Sequence, residues 1–169
     1  MEGASAKMEA LQLWFTANGG YLHPSTKLAH SEQYGTHLEA KDTIPEATQI
    51  LTGPHSIALS ALNAMVDDEH PVFKQNATAF TVEALGFFYL MTQWIHKEKS
   101  FWKPYLDTLP SPDEGFGTPN FFDDEDLKWI QGTDLHLVYE KRKEIWEKYW
   151  RDGVEIFKRN GIDSTPYTW

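Results

Sequence analysis

The chain has 169 residues, 41% hydrophobic and 24% charged, the balance of one folded domain or one lobe of a larger enzyme. Its net charge of -10 would repel phosphate backbones and excludes nucleic-acid binding through a basic face, while the lack of cysteine excludes disulfides and thiolate metal sites. Aromatic residues make up 14%, seven of them Trp, so several rings must be buried.

Met1-Glu2-Gly3-Ala4-Ser5 lacks the basic start and apolar run of a secretion signal. The longest apolar stretch, Ala84 to Met91, falls far short of the roughly 20 residues that cross a bilayer. The expectation is a soluble intracellular protein, in cytoplasm or nucleus, without a membrane partner.

From Ser5 to Asn18, Met8, Leu11, Trp14 and Phe15 recur at helical spacing, and Gly19-Gly20 ends the segment. Three short pieces follow, Lys27 to His30, Thr36 to Ala40 and Thr48 to Leu51. Each is bounded by Pro, Gly, Asp or Ser in the manner of short strands. Ser60 to Val66 reads as a short helix. Phe80, Ala84, Phe87, Phe88, Met91 and Ile95 then mark a long helix with an apolar surface wide enough for a central, buried element.

Lys97-Glu98-Lys99 closes that helix with charge, and another short one begins near Ser100 and stops at Leu109-Pro110. Pro110 to Asn120, rich in proline and glycine, is a loop. Asp123 or Asp124 caps a helix containing Leu127 and Ile130, which ends at Gly132. The last long helix runs from about Asp134 to Arg159. Val138, Ile145, Tyr149 and Ile156 line one face of it, and Gly161 terminates it. Ser164-Thr165-Pro166 carries a helix-start signal with almost no body behind it, which fits either a truncated product or an ordered tail.

Few residues point to chemistry on their own. The histidines, His23, His30, His37, His55, His70, His96 and His136, are scattered without metal-ligand spacing. Asp123-Asp124-Glu125-Asp126 reads more simply as a solvated helix start than as a cation site. Neither a glycine-rich phosphate loop nor a G-x-S-x-G elbow is present.

Three segments carry a resemblance. Leu13-Trp14-Phe15-Thr16-Ala17-Asn18-Gly19-Gly20-Tyr21-Leu22-His23 looks like a first helix and turn, and Tyr34-Gly35-Thr36-His37-Leu38-Glu39-Ala40-Lys41-Asp42-Thr43-Ile44 like a strand pair of the form G-x-G-L-x-A-x-x-D-I. Ser100-Phe101-Trp102-Lys103-Pro104-Tyr105-Leu106-Asp107-Thr108-Leu109-Pro110 matches S-x-W-x-P-Y-x-x-x-L-P and is followed by Thr118-Pro119. In this order they resemble the SET-domain protein-lysine methyltransferases of the Rubisco large-subunit methyltransferase type, from about Leu13 to Trp169.

The resemblance implies an α+β, mostly helical fold. Residues 1–55 would be an amino-terminal SET-type segment of one helix and short strands, and 56–169 a helical inserted region, with the chain cut off before the catalytic half. It further implies that Tyr34, Gly35 and Thr36 contact S-adenosylmethionine through their backbone, with Pro110 close to the cofactor. Read alone, Gly35 is a plain turn glycine, and most of the Ser100 to Pro110 run is packing, with Trp102 and Tyr105 as anchors.

His37 stands where the pattern has its second glycine. The chain contains no Asn-His pair, and Tyr167 lies in a segment that precedes that pair in the family, so no catalytic residue is assigned. The implied partner is a protein substrate with a target lysine. The alternative is a non-catalytic SET remnant acting as an interaction module. Open strand edges around Lys27 to Ala40 would favour self-association.

Overall fold

A glycine that can turn left-handed ends the first helix. The computed structural model describes residues 2–110 and 117–169. In it α1 covers Glu2–Ala17, and Gly19 at φ +85° turns the chain away. Behind it come β1 (Tyr21–Leu22), β2 (Thr26–Ser31), β3 (Gly35–Ala40) and β4 (Leu51–Thr52). β1 pairs antiparallel with β4, and β2 with β3, as two separate two-stranded sheets. Of the expected third strand, Thr48 to Leu51, only Leu51 joins a ladder, and its partner β1 is too short to show any alternation.

The helices follow as α2 (Ala61–Ala64), α3 (Pro71–Gln75), α4 (Val82–Ile95), α5 (Lys103–Leu106), α6 (Asp124–Ile130) and α7 (Asp134–Arg159). Helix and short strands together make the mostly helical α+β class expected from sequence. Ser60 caps α2 by accepting from the Asn63 N–H, and Asp123 caps α6 by accepting from the N–H groups of Glu125 and Asp126. α3, with Pro71 in its first turn, was not expected from sequence. Of the expected loop Pro110 to Asn120, Ser111 to Phe116 lies outside the described residues, and Pro119–Phe121 forms a single 3-10 turn.

The chain divides into two compact units that interleave in sequence. One comprises Met1–Leu59 and His96–Pro110, the other Ser60–Ile95 and Ser111–Trp169. The first buries Met8, Thr26, Trp102 and Leu106. Trp102 donates its indole N–H to the Ile57 carbonyl at 3.0 Å, while Trp14 meets Phe101 edge to face. Tyr105, expected as a second anchor, stays exposed. Positions 102 and 106 lie one turn apart and both face inward, and 105 is rotated about 100° from 106.

The second unit is built around aromatic rings. Phe73, Phe80, Phe88, Phe157 and Tyr167 meet mainly edge to face, with Tyr167 stacked on Phe88 at an interplanar angle of 17°. α4 contributes Ala84, Leu85, Phe88, Tyr89, Thr92 and Gln93 to the buried set, more than any other described helix, as its wide apolar surface led us to expect. Gly153 lets α7 approach, because a Cβ there would stand 2.2 Å from the Phe88 ring. The face expected to run along all of α7 splits. Ile156 is buried, whereas Val138 and Ile145 are exposed.

Candidate functional site

β2 and β3 are joined by Glu32, Gln33 and Tyr34, with Ser31 opposite Gly35. Gly35 sits at φ +59°, the left-handed residue that closes a three-residue hairpin. A Cβ at Gly35 would meet nothing within 4 Å, so the backbone torsion and not crowding calls for glycine. The Tyr34 N–H donates to Ser31 Oγ at 3.1 Å, and the Tyr34 ring stands 67% exposed at the hairpin tip.

Thr36 links this hairpin to a distant part of its own unit. Its hydroxyl donates to the Thr108 carbonyl at 3.3 Å, across a sequence separation of 72 residues. Pro110, exposed, follows two positions after Thr108. Three of the residues nominated from sequence therefore share one hairpin end, and the fourth lies two residues beyond the segment that hairpin touches.

His37 occupies the pattern's second-glycine position without distorting the strand. Its Nδ1 lies 2.9 Å from the Gly35 carbonyl and its Nε2 3.3 Å from Glu39 Oε1, and Glu39 also pairs with Lys27 at 2.7 Å. The Lys27 hydrogen bond, with His37 behind it, holds the exposed Glu39 carboxyl below its ordinary range. This cross-strand chain of Lys27, Glu39 and His37 stiffens the hairpin and was not visible in the sequence.

Neither of two surface cavities is lined by Tyr34, Gly35, Thr36 or Pro110. The first unit holds one of about 390 Å³ among Leu11, Trp14, Phe15, Leu28, Ile57 and Tyr105. The Trp14 indole nitrogen is buried and has no hydrogen-bond partner among the described residues. The second unit holds a wider one between α4 and the first half of α7.

The second unit also contains a polar cluster. Asp67 Oδ2 accepts from the Tyr89 hydroxyl and from His70 Nδ1, both at 2.8 Å, and Oδ1 accepts from the Glu69 N–H. Burial alone would raise the Asp67 carboxyl, but these donors outweigh it and hold it below its ordinary range. Burial, followed by the Asp67 contact, pushes the Tyr89 phenol far above its usual value. The cluster pins the turn ahead of α3 to α4.

No family model matches the chain. Its sequence is similar to that of protein methyltransferases over most of its length. Among these relatives is actin-histidine N-methyltransferase, 25% identical over 144 residues in Callithrix jacchus and 24% in Papio anubis and Homo sapiens. Each match covers 82% of this chain but only 23% of the relative's length.

Proposed function

We propose that this chain is a portion of an S-adenosylmethionine-dependent protein N-methyltransferase of the SET type, and that its β2–β3 hairpin end forms one wall of the cofactor site. The observation that carries the reading is the Thr36 to Thr108 hydrogen bond. It joins the two segments whose motifs resemble the SET enzymes and that the cofactor reading requires to be neighbours. The similarity to protein methyltransferases across 82% of the chain supports the class.

Tyr34, Gly35, Thr36 and Pro110 suit a wall, because the Gly35 backbone is open and the turn is held by Ser31 Oγ and by Thr36. They do not suit a pocket, because none of them lines a cavity described above. When bound, S-adenosylmethionine supplies a methyl group on a sulfonium centre. The hairpin's part is to present backbone groups to it at fixed positions.

The motif resemblance points to a target lysine in a protein substrate and to the Rubisco large-subunit methyltransferase type. The relatives' name points to histidine in actin as a second reading. The chain alone is inactive, since one wall offers too few contacts to offset the entropy lost on binding the cofactor. A radiolabelled methyl-transfer assay on lysine-rich proteins and on actin should show no turnover. Turnover abolished by replacing residues 34–36 would show that the chain, alone or as an oligomer, completes the site and would defeat this reading.

A further inference from the structure

Helix α7 carries two different faces. Its second half buries Gly153, Ile156 and Phe157, but its first half shows Leu137 69% exposed and Val138 52% exposed. With Phe87 of α4, Ile145, Trp146 and Tyr149 they wall a groove of about 710 Å³ inside the second unit. From Val138 to Tyr149 the wall runs about 17 Å along the helix, the length of three turns of a second helix. Singly exposed apolar residues are ordinary, whereas a continuous apolar groove of this length marks a binding surface.

The charge on the groove is opposite to that of the chain. Lys141 and Arg142 stand on its rim, and Glu83 is its one acidic lining residue. Neither cation forms an ion pair among the described residues. Arg142 instead lies 5.7 Å over the Trp146 ring, held at the groove wall. Two unneutralised cations flanking an apolar stripe, on a chain of net charge -10, are complementary to one kind of surface.

We propose that this groove binds an acidic amphipathic helix of a partner protein, its apolar face laid along Val138 to Tyr149 and its carboxylates meeting Lys141 and Arg142. A second copy of the chain fits less well, because pairing two such stripes about a two-fold axis brings their cations together. An anionic membrane would attract the two cations but repel the remainder of the chain.

The test uses two synthetic helical peptides with leucine on one face, flanked by glutamate in the first and by lysine in the second. Titration into the labelled chain should show the glutamate peptide binding, with NMR shifts confined to the groove, and the lysine peptide at least ~10-fold weaker. Lys141→Glu with Arg142→Glu should reverse that preference. Leu137→Asp should abolish both interactions, and its exposed position leaves the melting temperature unchanged. Equal binding of the two peptides, or no shifts in the groove, would overturn the proposal. So would dimerisation lost in Leu137→Asp, or binding to phosphatidylserine vesicles that requires Lys141 and Arg142.

Discussion

Single atoms decide several of these contacts. A methyl group at Gly153 would fall 2.2 Å from Phe88, a ring enclosed by Phe80, Phe157 and Tyr167 that has nowhere to move. The Gly153→Ala change gains roughly 1 kcal/mol of helix propensity but overpacks the core by about 1–3 kcal/mol, so a net loss is expected. Thermal melting checks it, and a raised melting temperature would show the Phe88 ring free to shift. Tyr167 makes a second case. Thr92 directs its own hydroxyl hydrogen to the Phe88 carbonyl, so the Tyr167 hydroxyl must donate to Thr92 at 2.9 Å. Tyr167→Phe should cost about 1 kcal/mol. Asp67 sets an acid limit. Its folded-state carboxyl is held below the ordinary value, so its contribution to stability is present above the unfolded value near ~4 and is lost as pH falls through the folded one. Melting temperature followed into acid should fall less steeply in Asp67→Asn than in the parent. Identical acid limbs would show that the Tyr89 and His70 contacts carry no such linkage. The contacts of Gly153 with Phe88, of Tyr167 with Thr92 and of Tyr89 with Asp67 could not be read from sequence, because each joins residues brought together only by the fold.

At the scale of elements, the three long helices were the most legible. α1, α4 and α7 span enough turns for apolar periodicity to show, and Gly19, Gly132 and Gly161, all at positive φ, mark helix ends as the sequence suggests. The α6 cap was legible to within one residue, Asp123 or Asp124, and Asp123 supplies it. Asp123→Ala removes the acceptor for two N–H groups and should destabilise α6 by about 1 kcal/mol, seen as faster amide exchange over residues 124–130. Exchange unchanged there would mean that water replaces the cap at no cost. β1 and α3 were not read from sequence, and β4 was met only at Leu51, although α2 and α5, four residues each, were expected. The exposure of Val138 and Ile145 was not legible either. Periodicity reports that a helix face is apolar, not what covers it. The β2–β3 hairpin pairs with no other described strand, and its outer edges remain the basis for the expected self-association.

At the scale of the whole molecule, the nominated cofactor residues are brought together in part. Tyr34, Gly35 and Thr36 share a hairpin end because they are adjacent in sequence. The nearness of Thr108, and through it Pro110, is a property of the fold. The family resemblance implied that these segments are neighbours, while the open character of the hairpin end appeared only in three dimensions. The central claim is that this hairpin end is one incomplete wall of an S-adenosylmethionine site. The most direct test is an NMR titration of the isotopically labelled chain with S-adenosylmethionine up to millimolar concentration. The account predicts weak, unsaturated shifts confined to Tyr34, Gly35, Thr36 and the neighbourhood of Thr108 and Pro110. Saturation at micromolar cofactor would contradict the incompleteness, and shifts absent from this hairpin would contradict the site itself.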